Sequence, residues 1–152
     1  MANKDRDNEK YDKLVNDLCD NYPDYPFLKG FVCSLISAKN SRRTIYYYTI
    51  HVIDFLKKTN KSIQDLTLDD YNIYIVRFKK SSSSYLIVKY SAINKFARYL
   101  FITNRISKNF MEFADRPKYK EKQEQVQKRE KGFLTPAEIQ IVITNIEQET
   151  WH

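Results

Sequence analysis

Glycine and proline are scarce in this chain, two and four in 152 residues. Their scarcity argues against a loop-rich β-sandwich, whose turns need both residues, and against a Gly-rich phosphate-binding loop. Cysteine is as sparse. Cys19 and Cys33 are the only two, too few for a disulfide framework or a zinc site. A reducing cytoplasm is the expected location. No run approaches about eighteen apolar residues, so no transmembrane helix and no membrane partner are expected. The opening MANKDRDNEK is charged where a secretory leader is apolar, so no secretory signal is expected.

What is present suffices for a folded domain. Hydrophobic residues make up 42% of the chain and aromatics 14%. The length suits one domain, or one domain with an appendage. The formal net charge is +7, and it is unevenly placed. Residues 41–108 hold thirteen Lys/Arg against four acids, and residues 116–131 hold seven against three. Residues 1–20 carry −2 and residues 132–152 carry −3. A concentrated positive field attracts polyanions, because each phosphate contact releases condensed counterions. The same charges also suit an ordinary solvated surface, so charge alone leaves nucleic-acid binding open.

Apolar spacing predicts helices throughout. Tyr11, Leu14, Val15 and Leu18 suggest one or two turns within a polar N-terminal segment, residues 1–23. NYPDYP then breaks the chain. Leu28, Phe31, Val32, Leu35 and Ile36 follow at helical spacing over about 24–39. Ser41 can cap the next helix, with Ile45, Tyr48, Val52, Phe55 and Leu56 on one face and Lys57 and Lys58 in the last turn. Thr67-Leu68-Asp69-Asp70 is close to a capping box, and Tyr71, Tyr74, Ile75 and Phe78 form the stripe behind it. The serine run 81–84 opens a helix from about Ser84 to Thr103, with Leu86, Tyr90, Ile93, Ala97, Leu100 and Phe101 on one face. Ile106, Phe110, Met111 and Phe113 are expected to dock an irregular segment onto the core. The fold class is therefore all-α: a four- to five-helix orthogonal bundle over residues 24–115. A basic linker, 116–132, leads to one further helix in 133–152. Thr135-Pro136-Ala137-Glu138 opens that helix, and Ile139, Val142, Ile143 and Ile146 give it an apolar stripe. Such a stripe needs a partner, so this helix is expected to begin a second domain that the chain cuts short.

Catalytic chemistry is not legible. No metalloprotease, nucleophile-elbow, Walker or dinucleotide motif occurs. His51 is better explained as a surface or half-buried residue than as a catalyst. Asp65, Asp69 and Asp70 are explained by capping. Helical geometry puts Tyr48 on the core stripe, with Tyr46 and Tyr47 at its flanks. No catalytic residue, metal ligand or cofactor is expected. The basic residues are more informative. Ser41, Arg42, Arg43 and Thr44 open one helix, and a serine-rich start opens another. Free N–H groups with hydroxyls and cations bind phosphate readily. On the last bundle helix Ser84, Ser91, Lys95, Arg98 and Ile102 point away from the apolar stripe, while Lys89 lies at its edge. A helix exposing Lys95 and Arg98 can lie in a major groove.

These patterns together resemble a known family. Ser41-x-x-Thr44-x-x-x-Tyr48 with Phe55-Leu56 resembles the second helix of the core-binding (N-terminal SAM-like) domain of phage-integrase-type tyrosine recombinases. Ile63-x-x-Leu66-Thr67-x-x-Asp70-Tyr71 resembles the start of its third helix. Ser83-Ser84, Lys89-Tyr90-Ser91-Ala92-Ile93 and Phe96-Ala97-Arg98-Tyr99-Leu100 resemble its fourth. Ile106-Ser107-Lys108-Asn109 resembles the following connection, with Phe110 where the family usually has proline. Phe133-Leu134-Thr135-Pro136-Ala137-Glu138-Ile139 resembles the opening of the catalytic domain. The likeness covers about residues 25–148, and the order and spacing of the motifs carry it.

The resemblance implies a domain that grips duplex DNA as one half of a C-shaped clamp. The catalytic domain forms the other half, and other recombinase subunits join in a synaptic tetramer. Cleavage would belong to the catalytic domain, through an arginine pair, a His-x-x-Arg box, a lysine and a nucleophilic tyrosine. None of those motifs occurs here, so these residues are not expected to cut DNA, although the longer protein would. The implied DNA-facing residues are Ser41, Arg43, Thr44, Ser83, Ser84, Lys89 and Lys95. The helical wheel adds Arg98, and the linker adds Lys118 and Lys120. Arg43 and Lys95 rank first. The wheel places Lys89 beside the core, from which its long stem can reach outward. A competing expectation is a helical protein-interaction module with an incidental basic surface.

Overall fold

Local signals set where the helices begin and end. The structure, a computed structural model, describes residues 2–119. Five helices occur there: α1 (Ala2–Asn21), α2 (Leu28–Ser37), α3 (Arg42–Thr59), α4 (Leu68–Val76) and α5 (Ser83–Ile102), with a short 3₁₀ turn at Ile63–Asp65. Pro23 and Pro26 separate α1 from α2. Ser41 Oγ caps α3 by accepting the Thr44 N–H at 3.1 Å. Asn60 ends α3 in the left-handed region at φ 52°, a conformation asparagine tolerates. Before α4 the capping box closes: Thr67 Oγ1 accepts the Asp70 N–H at 3.2 Å, and the Asp70 carboxylate accepts the Thr67 N–H at 2.9 Å. Ser82 caps α5 by accepting the Tyr85 N–H at 3.2 Å.

The bundle is all-α, and α3 is its centre. It packs against each of the other four helices, and α2 also meets α5. Phe31 and Phe96 meet edge to face at 5.3 Å, and Phe55 contacts Tyr74 at 5.3 Å. Each such ring, fully buried, contributes about 2–3 kcal/mol. Ile106, Phe110 and Met111 close the core beneath α5. Gly30 in α2 lets the Tyr99 hydroxyl approach where a methyl group would collide. Tyr46 and Tyr48 pack against the core and Tyr47 is exposed. No described helix is long and apolar enough to cross a membrane.

Three expectations need correction. The N-terminal segment forms a 20-residue helix rather than one or two turns. Its stripe finds a partner in α3: Val15 and Cys19 enter the core, Tyr11 meets Tyr46 at 5.5 Å, and Asp12 lies 2.9 Å from Arg42 Nε. The buried line of α5 runs through Ile87, Lys89, Ile93, Phe96 and Leu100, which leaves Phe101 exposed. Phe113 does not dock but stands 81% exposed. The linker beyond Tyr119, with Lys120, and the helix expected in 133–152 lie outside the described residues.

Candidate nucleic-acid interface

The start of α3 divides its charges. Arg42 turns toward α1 and is engaged by Asp12. Arg43 turns outward, its guanidinium 5.6 Å from the centre of the Tyr47 ring. Ser41 and Thr44 share a hydroxyl hydrogen bond of 2.8 Å, so the cap holds both side chains in place. This gives a cationic corner at which, among the described residues, the Arg43 guanidinium has no carboxylate partner.

Tyr85 and Val88 of α5 meet this corner. Arg43, Thr44, Tyr47 and His51 of α3 line one groove of about 490 Å³ with Tyr85 and Val88 of α5. The 3.6-residue period puts Ser84, Val88 and Lys95 on one side of α5, flanked by Arg98. Ser84, Lys95 and Arg98 are all exposed. Among the described residues no carboxylate lies within 4 Å of Arg43, Lys95 or Arg98, whereas Arg42, Lys29, Lys58 and Lys61 are each held by an aspartate. Arg43 and Val88 thus line one groove, and Lys95 lies two turns along α5 from Val88 on the same side of that helix.

Two expected contact residues are not on that face. Ser83 is 7% exposed, because the cap falls at Ser82 and turns the next residue inward. Lys89 is 1% exposed, so its stem does not reach outward. The reason is a polar pocket inside the bundle. Lys89 Nζ donates to Tyr74 Oη at 2.6 Å and lies 3.3 Å from His51 Nδ1 and 3.5 Å from Asp54 Oδ2. Its cation also lies 4.2 Å from the Phe78 ring centre and 5.0 Å from that of Tyr85. Tyr74 Oη in turn donates to Asp54 Oδ2 at 2.5 Å, and Lys58 pairs with Oδ1 at 2.8 Å.

Burial and mutual charge shape this network. Burial lowers the Lys89 ammonium, against the pull of Asp54. Burial would raise the Asp54 carboxyl, but bonds from Lys58 and Tyr74 and the nearby Lys89 charge together hold it below its ordinary value. Burial, helped by Lys89, pushes His51 down to about 4. His51 is thus a neutral buried ring, 7% exposed, rather than a surface residue. Burial and the Asp54 bond push the Tyr74 hydroxyl upward.

Lys118 is exposed, and among the described residues none beyond α5 lines the groove. Sequence reasoning passed over Tyr85 and undervalued His51. The signal was available: Lys89 falls on the inward line of α5, and a lysine there requires acceptors on the facing helices. Among the described residues no three His, Cys, Asp or Glu side chains gather to hold a metal ion. No family model, curated protein or solved structure matches this chain.

Proposed function

We propose that this bundle binds duplex DNA as the core-binding domain of a phage-integrase-type tyrosine recombinase, in support of DNA integration and recombination. The observation that carries the reading is a groove between α3 and α5 lined by Arg43 and Thr44, together with exposed Ser84, Lys95 and Arg98 on α5. Among the described residues, neither Arg43, Lys95 nor Arg98 is paired with a carboxylate. Arg43 and the capped start of α3 grip the phosphate backbone, which positions the domain. Lys95 and Arg98 reach the adjacent phosphates or base edges from the exposed side of α5. Lys118 and Lys120 extend the contact along the chain. Strand cleavage belongs to a catalytic domain, and synapsis to further subunits.

Salt-dependent binding tests this. Affinity for duplex DNA should fall steeply as salt rises. Arg43→Ala and Lys95→Ala should each reduce the slope of log K against log[salt] by about 0.9, one phosphate contact apiece. Absence of binding to any duplex at low salt, or slopes that neither substitution changes, refutes the proposal. A second reading is a protein-interaction module. It is favoured by the apolar groove of Leu66, Leu68, Ile106 and Phe110, rimmed by exposed Phe101 and Phe113. A stable assembly by light scattering, indifferent to DNA and salt, would support that reading instead.

A further inference from the structure

The groove between α3 and α5 is more than a gap between cations. Its walls are largely apolar, from Tyr47, Tyr85 and Val88, and Arg43 stands at one end. His51 lines it as well, and the network behind this ring determines which nitrogen carries the proton. An ammonium group has three N–H donors and no acceptor. Lys89 Nζ has three acceptors around it: Tyr74 Oη, Asp54 Oδ2 and His51 Nδ1. His51 Nδ1 must therefore accept, and a neutral ring then carries its proton on Nε2. Among the described residues Nε2 has no hydrogen-bond partner, and it is not among the sealed-off polar atoms. The groove thus combines an apolar wall, a cation and an oriented neutral donor.

We propose that this groove seats one deoxyribose-phosphate unit of the duplex. The sugar lies on Tyr47, Tyr85 and Val88, the phosphate on Arg43, and an oxygen of the unit accepts from His51 Nε2–H. Lys89 is the positioning residue: it touches no DNA but fixes the His51 tautomer from behind. The inference rests on the DNA-binding reading above and adds His51, Tyr85 and Lys89 to it. The apolar wall suits the C–H faces of a sugar, and Arg43 supplies the charge complement.

The test uses the whole chain and a labelled duplex over a range of salt. His51→Phe keeps a flat ring without a donor. It should weaken binding by about threefold to tenfold, the worth of one neutral hydrogen bond. The salt slope should not change, because a neutral donor releases no counterion. His51→Gln restores an N–H at a similar reach and should recover most of the loss. If His51→Phe fails to fold, Val88→Glu decides, since Val88 is only partly buried. A carboxylate placed against the phosphate should weaken binding by about tenfold or more. Long-range ¹⁵N–¹H correlation should show the Nε2–H tautomer of His51, and Lys89→Met should abolish that preference. Wild-type affinity in the folded His51→Phe or in Val88→Glu, or a wild-type His51 protonated on Nδ1, overturns the proposal. A wild-type protein that binds no duplex sinks this proposal and the DNA reading together. Binding whose salt slope depends on Arg43 while its affinity is unchanged by both His51→Phe and Val88→Glu sinks this one alone.

Discussion

Acidification from pH 7 to pH 4 should destabilise this fold chiefly through one residue, His51. In the unfolded chain His51 titrates near its ordinary 6.5; in the fold it is pushed down to about 4, first by burial and then by the Lys89 ammonium 3.3 Å from Nδ1. Between those values the unfolded state binds a proton that the folded state refuses. Stability is therefore fully present above pH 6.5, is lost as pH falls, and the loss is complete below about pH 4. At about 1.4 kcal/mol per pH unit the whole window amounts to about 3 kcal/mol. For a domain of this size that is on the order of 10 °C in Tm. Asp54 and Asp70 are held below their ordinary 3.8, so their losses begin only at lower pH. The assay is thermal unfolding followed by circular dichroism at half-unit steps from pH 7.5 to pH 4.5, for wild type and for His51→Gln. Glutamine does not titrate, so the variant should lose most of the slope. A wild-type Tm that stays level across this range, or an equal slope in the variant, refutes the reasoning.

Two further substitutions probe the same core. Tyr71 is buried, and its hydroxyl has no hydrogen-bond partner among the described residues. Tyr71→Phe removes that desolvated group and should raise stability by about 0.5–1 kcal/mol, measured by urea denaturation; a loss of stability would reveal a partner. Asp54→Ala strips the carboxylate from a buried ammonium and should cost about 2–4 kcal/mol, discounted because Asp54 is itself partly exposed. The double variant Asp54→Ala/Lys89→Met should recover part of this loss in the same assay, and no recovery would show that Lys89 is not the source.

Much of the fold was legible because helix signals are local. The Thr67–Asp70 box, the Ser41 cap and the Lys57-Lys58-Asn60 ending each lie within a few residues, and the structure reproduces them. The stripes of α2, α3 and α4 were visible for the same reason, except that Ile36 at the end of α2 stands exposed. The candidate face was legible in part. Exposed Lys95, Arg98 and Ser84 follow from the period of α5 alone. From its own helix Lys89 was legible only as a residue beside the core, and the groups that hold it there were not. Its acceptors are 15, 35 and 38 residues away, on α4 and α3. The length of α1 was hidden likewise, because a polar helix with a thin apolar stripe gains its stability from a neighbour rather than from propensity.

Composition and spacing by themselves determined the helical class of the bundle, the starts of α3, α4 and, to within a residue, α5, and a cationic middle. Those properties depend on hydrogen bonds and side-chain periods that span at most one or two turns. Tertiary packing decided the fate of the other cations near the groove. Arg42 was taken by Asp12, Lys89 was drawn into an aromatic and carboxylate pocket, and Arg43 was left free beside the groove that α3 forms with α5. A charge leaves solvent only where distant parts of the chain bring enough partners around it, and a pattern of neighbours along the sequence does not specify that arrangement.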